Sequence, residues 1–318
     1  MNIKAKDIFS ANKRIKPYIN KTPIKLLAQL STDLGLNVIY KLENLQISGS
    51  FKPRGGFNKI LKTLQKNPNA EFVAPTAGGH GVGLSYAAKK LNAKVHILMP
   101  ENADKDRIKD ITNNGSSIQF FESVEKARLQ AKQLAKDKGY IYVSAYNDIE
   151  MIEGGGTIAV ELLAQLPEVD CLVCGVGGGR YLAGMALVLK TMNPEIKIIG
   201  VQQNGTPCIY NWFKTGKYEI LLYVPSIAEG IGGMVEEDCL TLPYVKNYVD
   251  DFLLVTDAQI KETLNRAFAN EKMYVEPSGI VGLTAIREYP DLFKRFKNVV
   301  TVITGGNISF ERLKTLLT

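Results

Sequence analysis

No apolar run in the 318-residue chain approaches the length needed to cross a bilayer, and the first sixteen residues are too polar for a signal peptide. A cytoplasmic protein without membrane contact is the expectation. Cysteine is scarce, at four residues, and histidine scarcer, at two. Cys171 and Cys174 form a Cys-x-x-Cys, but they fall inside the apolar stretch 169–176, which reads as a buried strand. No second pair at zinc-ligand spacing follows, so both read as core residues. With only His80 and His96 available, and no serine-elbow motif, a hydrolytic triad is not expected. Charge is not gathered either. The net +7 is spread along the chain, without a basic arm or interleaved aromatics, and nucleic-acid binding is not expected. Repeats, low-complexity tracts and long linkers are missing too.

What remains is ordinary globular composition, 45% hydrophobic and 22% charged, in a length that supports one large or two modest domains. Apolar periodicity predicts a helix over 3–18, a helix around 24–34 after the Thr22-Pro23 turn, and a strand over 38–42. Strands then alternate with helices to the end of the chain, with one irregular segment at 204–249. That alternation means βαβ units and mostly parallel sheets. The expected fold class is α/β: two open domains with a ligand cleft between them. Residues 1–45 and 145–318 form the larger domain and 46–144 the smaller.

The chemistry-bearing stretches sit at strand-to-helix junctions, where open α/β sheets bind ligands. Lys52 lies in Ser50-Phe51-Lys52-Pro53-Arg54-Gly55-Gly56, with Pro53 suited to a first helical turn. Thr76-Ala77-Gly78-Gly79-His80-Gly81 brings small residues to another such junction; alone it implies no more than a tight turn. Gly177-Gly178-Gly179-Arg180 follows an apolar strand and opens a helix, an arrangement that exposes backbone donors to a phosphate dianion. A dinucleotide fingerprint fits less well, because Arg180 stands where the last glycine belongs.

Taken together, these strings resemble the fold-type II pyridoxal phosphate (PLP) enzymes, the group of threonine and serine dehydratases, serine racemases and cysteine synthases. The resemblance covers essentially the whole chain and implies pyridoxal 5′-phosphate as cofactor, a small amino acid as substrate and a homodimer. It makes Lys52 the Schiff-base lysine and catalytic base, next to Phe51. Gly177, Gly178, Gly179 and Arg180 become the phosphate loop, the Arg180 side chain either adding charge to the phosphate or pointing to solvent. Ser50, Thr76, Ala77, Gly78 and His80 become substrate-binding residues, joined by Gly230 from the string Ser226-Ile227-Ala228-Glu229-Gly230-Ile231. Glu276 is implied near the cofactor ring and Thr304 at its pyridine nitrogen. Ala77 matches dehydratases, where racemases carry a serine as second base.

Five positions depart from the pattern. Gly79 replaces an asparagine that donates to the cofactor's 3′ oxygen, Gly155 replaces a glutamine before Thr157, and Arg180 replaces a glycine. Gln202 and, by alignment, Cys208 stand where metal-dependent relatives have carboxylates, so no metal is expected. Thr157 itself reads as a helix N-cap. The resemblance implies β-elimination on L-threonine or L-serine. Racemisation or β-replacement, or a degenerate member that binds without turnover, stays open as an alternative.

Overall fold

The computed structural model describes residues 3–317. Its larger sheet is built from β1 (Ile24–Leu26), β2 (Asn37–Leu42), β7 (Cys171–Gly175), β8 (Lys197–Gln203), β9 (Asp251–Val255) and β10 (Asn298–Ile303). The smaller comprises β3 (Glu71–Pro75), β4 (Lys94–Pro100), β5 (Ser117–Phe121) and β6 (Ile141–Tyr142). The helices in the first half are α1 (Ala5–Ile15), α2 (Ala28–Leu34), α3 (Lys52–Leu64), α4 (Gly79–Leu91), α5 (Lys105–Asn113), α6 (Val124–Lys138) and α7 (Ile149–Gln165). Those in the second are α8 (Arg180–Met192), α9 (Cys208–Thr215), α10 (Thr241–Tyr248), α11 (Asp257–Glu271), α12 (Val281–Glu288), α13 (Pro290–Phe293) and α14 (Phe310–Leu317). None of the helices described is long and apolar enough to cross a membrane.

Strand order is β1-β2-β10-β7-β8-β9 in one sheet and β5-β4-β3-β6 in the other. Every pairing is parallel except β1 with β2. Both faces of the larger sheet are covered, as parallel strands require. On β10, Val300 and Val302 enter one apolar cluster with α7 and α8, while Val299 and Ile303 enter the other with α11 and α12. β10 comes last in the chain yet lies between β2 and β7. Its end is therefore placed beside the segments leaving two strands distant in sequence.

Two sequence expectations need correction. The helix expected around 24–34 begins only at Ala28, because Ile24–Leu26 pairs along β2 as an edge strand. Tertiary pairing there overrides local preference. Thr157 is not an N-cap: α7 starts eight residues earlier, capped by the Asp148 side chain on the Met151 N–H. The helix runs straight through Gly154-Gly155-Gly156, which sequence reading takes for a break. These glycines are there for close approach. A Cβ on Gly154 would lie 2.5 Å from the Arg54 carbonyl oxygen, and one on Gly156 2.9 Å from that of Gly184. Inside the helix Thr157 instead donates to the Gly154 carbonyl and accepts from Arg54.

Candidate active site

Lys52 is the first residue of α3, followed by Pro53, whose missing N–H costs nothing in the first turn. What fixes this end of the helix is Arg54, which has no exposed surface. Its guanidinium donates twice to Glu43, at 2.7 and 2.8 Å, and twice to Glu161, at 2.9 and 3.0 Å. Lys41 of β2 completes the cluster with a 2.8 Å bond to Glu161 and donates also to the Thr22 carbonyl. Nearly every donor and acceptor is used, the condition under which buried charges are tolerated. β2, α3 and α7 are thereby joined directly behind Lys52.

In front of Lys52 is a cavity of about 240 Å³. It is lined by all but one of the site residues expected from sequence: Phe51, Lys52, Thr76, Ala77, Gly78, Gly79, His80, Gly177, Gly178, Gly179, Arg180, Gly230, Glu276 and Thr304. Ser50 is the exception. It is buried, pairs by its backbone with Gly305, and among the described residues its hydroxyl has no partner. Phe51 and Thr304 are joined by their backbones, the Phe51 N–H donating to the Thr304 carbonyl at 3.1 Å.

Burial, reinforced by the Arg180 guanidinium and, more weakly, Arg107, pushes the Lys52 ammonium down to about 7 against the opposing pull of Glu276. The amine is thus substantially unprotonated near neutral pH, as a nucleophile or base must be. Glu276 is itself held above the usual carboxylate range by burial, with Arg107 and Lys52 opposing. Burial, Arg180 and Lys52 push His80 down to about 3, so its ring is neutral, with Nε2 3.4 Å from the Val143 carbonyl.

The loop at 76–80 is shaped by Thr76, whose hydroxyl oxygen accepts from the N–H groups of Gly78 and Gly81. At Gly78 a Cβ would run into the Arg107 side chain, which would have to shift. Gly79 is the opposite case: a Cβ there would meet only Lys52 Cε, at 3.9 Å. On the other side, Gly179 turns the chain into α8 with φ +79. Among the described residues, the N–H groups of Gly177, Gly178 and Gly179 have no protein acceptor. Arg180 does not point to solvent. It is 4% exposed, donates to the Ala145 carbonyl at 2.9 Å and lies 4.9 Å from the Phe51 ring centre. Gln202 spans the Val176 carbonyl and the Tyr210 N–H, and Cys208 is buried.

Several cavity residues escape sequence reading, among them Arg107, Arg128, Tyr146 and Ser278. Ser278 accepts from the Gly230 N–H at 2.8 Å and so shapes that loop. Its string was visible in the sequence. Arg107 and Arg128 belong to polar helices, α5 and α6, where nothing distinguishes them from solvated arginines. Arg107 reaches across the cleft to within 3.8 Å of Glu276.

The residues present fit pyridoxal phosphate. An amine poised near neutrality would hold its aldehyde, and three free N–H groups at the start of α8 would hold its phosphate. Comparison with known proteins agrees. Residues 15–305 match the family described as "Pyridoxal-phosphate dependent enzyme". The chain is 32% identical to the L-threonine ammonia-lyase of Thermotoga maritima over 99% of its length and 78% of the relative's. It is also 32% identical to the serine racemase of Arabidopsis thaliana, over 97% and 95% of the two chains. The structure of maize serine racemase superposes with a TM-score of 0.93, at 28% identity, covering 99% of this chain and 97% of the other. Lysine, glycine loop and cleft thus carry the same meaning as the matched sequence: the chain belongs to the pyridoxal-phosphate dependent enzymes of fold-type II, and its cofactor is pyridoxal 5′-phosphate.

Proposed function

We propose that the chain catalyses β-elimination on a hydroxy amino acid, L-threonine or L-serine, releasing a 2-oxo acid and ammonia. One observation carries this reading: the supply of bases is one-sided. Lys52 lines the cavity as an amine held near neutrality, whereas the position at which related racemases carry a second base is Ala77, which accepts no proton. The similarity to an L-threonine ammonia-lyase supports the same choice.

Bound pyridoxal phosphate supplies the sink for the electron pair left at Cα. The rest falls to the protein. The 76–80 loop offers N–H groups to the substrate carboxylate, and Lys52 Nζ takes the Cα proton. As the Cβ–O bond breaks the β-hydroxyl takes up one proton, balancing the one removed from Cα, and departs as water; hydrolysis of the released enamine gives the 2-oxo acid and ammonia, so one water is lost and one consumed. Assembly as a homodimer is part of this reading, supported by three large apolar side chains exposed close together, Ile220, Leu222 and Tyr223. Light scattering on the purified protein reads that state.

The decisive assay incubates the holoprotein with L-threonine or L-serine and measures 2-oxo acid together with the chirality of the remaining amino acid. Oxo acid without the Cα epimer (D-serine from L-serine, D-allo-threonine from L-threonine) is expected. Accumulation of that epimer without oxo acid would overturn elimination in favour of inversion at Cα.

A further inference from the structure

Arg180 is charged, dry and short of partners. Among the described residues it makes no ion pair, and its Nη2 is buried without a hydrogen-bond acceptor. The carboxylate that acts on it, Asp148, is 2.9 Å from Lys59 and bonded there instead. A buried guanidinium left half-satisfied is costly, and burying it beside a lysine raises that cost. Arg180 Cζ and Lys52 Nζ lie 4.9 and 4.8 Å from the centre of the same Phe51 ring. The arrangement calls for an anion at the Lys52 end of the cavity.

The cofactor has two anionic groups. Its phosphate has the N–H groups of Gly177 to Gly179 available at the start of α8. The Arg180 side chain leaves that loop, bonding to the Ala145 carbonyl and lying against the Phe51 ring, close enough to Lys52 to depress its ammonium. On pyridoxal, the oxygen next to the carbon that a lysine holds is the phenolic 3′ oxygen. Near Lys52 Cε, Gly79 of the loop brings no side chain. We infer that Arg180 is a cofactor-binding residue whose guanidinium takes the 3′ oxygen of pyridoxal phosphate as an anion. The donor on this oxygen is then charged, and it comes from the large-sheet helix α8 rather than from the 76–80 loop. This inference does not depend on which amino acid is turned over.

The test uses cofactor binding, without substrate. Arg180→Gln and wild type are stripped of cofactor and titrated with pyridoxal phosphate and with pyridoxal, and the pH dependence of the visible band is recorded. A charge-assisted hydrogen bond is lost, so both ligands should bind about tenfold more weakly or worse. The band should titrate at higher pH, since a cation beside the oxygen favours the deprotonated form; Arg180→Lys should bring it part of the way back. Wild-type protein should show the same loss of affinity for 3-deoxypyridoxal 5′-phosphate, a comparison that stands even if Arg180→Gln does not fold. Weaker binding of pyridoxal phosphate alone, with pyridoxal and the band unchanged, would assign Arg180 to the phosphate and overturn the inference. Equal wild-type affinity for the 3-deoxy compound would overturn it as well.

Discussion

The titration of Lys52 makes the most exposed prediction. An ordinary lysine at 10.5 is free amine to about one part in three thousand at pH 7, whereas one at about 7 is about half free. Capture of pyridoxal phosphate by the cofactor-free protein should therefore be about a thousandfold faster at pH 7 than for an unperturbed amine of equal reactivity. Mixing cofactor-free protein with excess pyridoxal phosphate and following the visible band between pH 5 and 10 gives the profile. The rate should climb to a plateau with its midpoint near 7. Neighbours fix the direction of two controls. Arg180 depresses the ammonium, so Arg180→Gln should move the midpoint up; Glu276 supports it, so Glu276→Gln should move it down. The same shift bears on stability. Between 7 and 10.5 the unfolded chain keeps a proton that the folded one has released, so this lysine costs folding in full below 7 and progressively less as pH rises toward 10.5. A midpoint above 9, or controls moving in the opposite directions, would refute the reasoning.

Other predictions follow from neighbouring residues. Lys52→Ala should abolish the visible band and turnover while circular dichroism and melting stay cooperative; wild-type turnover in this variant would contradict the site. Arg54→Met leaves Glu43 buried without its cation, and Glu161 with Lys41 alone, and should cost about 3–5 kcal/mol in urea unfolding. A loss under 1 kcal/mol would mean that the cluster is not the brace described. Gly79→Asn enters open space beside Lys52 and should fold normally and tighten cofactor binding several-fold, in line with about 1 kcal/mol for a neutral hydrogen bond. If activity on the best substrate vanished with cofactor still bound, the space is needed by the substrate. Chelator should leave rate and melting temperature unchanged, since Gln202 and Cys208 offer no hard carboxylate; rescue by magnesium after chelation would refute this.

Much of the fold was legible because strand and helix alternate at regular spacing and each glycine loop closes a strand. Lys52, Gly177 and Thr304 could be placed together because parallel sheets bring their C-terminal ends to one edge. The illegible parts have physical causes. Ile24–Leu26 is a strand only because β2 is there to pair with it. The triple glycine of α7 reads as a break, since a single sequence does not show that Arg54 and Gly184 press against it from two sides. Arg107 differs from a surface arginine only in what the tertiary fold packs over it, and the same packing decides which way the Arg180 side chain turns. Arg54 stands two residues from Lys52 and looks like part of the site, yet its bonds all run away from the cavity, into the interior.

Those bonds make Arg54 a rivet. Helix α3 packs with the smaller sheet, but its first turn is fastened by charged bonds to Glu43, beyond β2, and to Glu161 of α7, both in the frame of the larger sheet. Sliding α3 against that frame would strip a guanidinium of its partners in a dry interior. Among the described residues, the loop at 76–80 makes no charged bond to that frame and is closed by uncharged hydrogen bonds to Thr76. If the two sheets rock, the amine of Lys52 stays with the glycines at 177 to 179, and the loop is what travels. For the proposed reaction this would keep the base aligned with the phosphate-binding glycines while the substrate-binding loop moves, because the two are on opposite sides of the rivet.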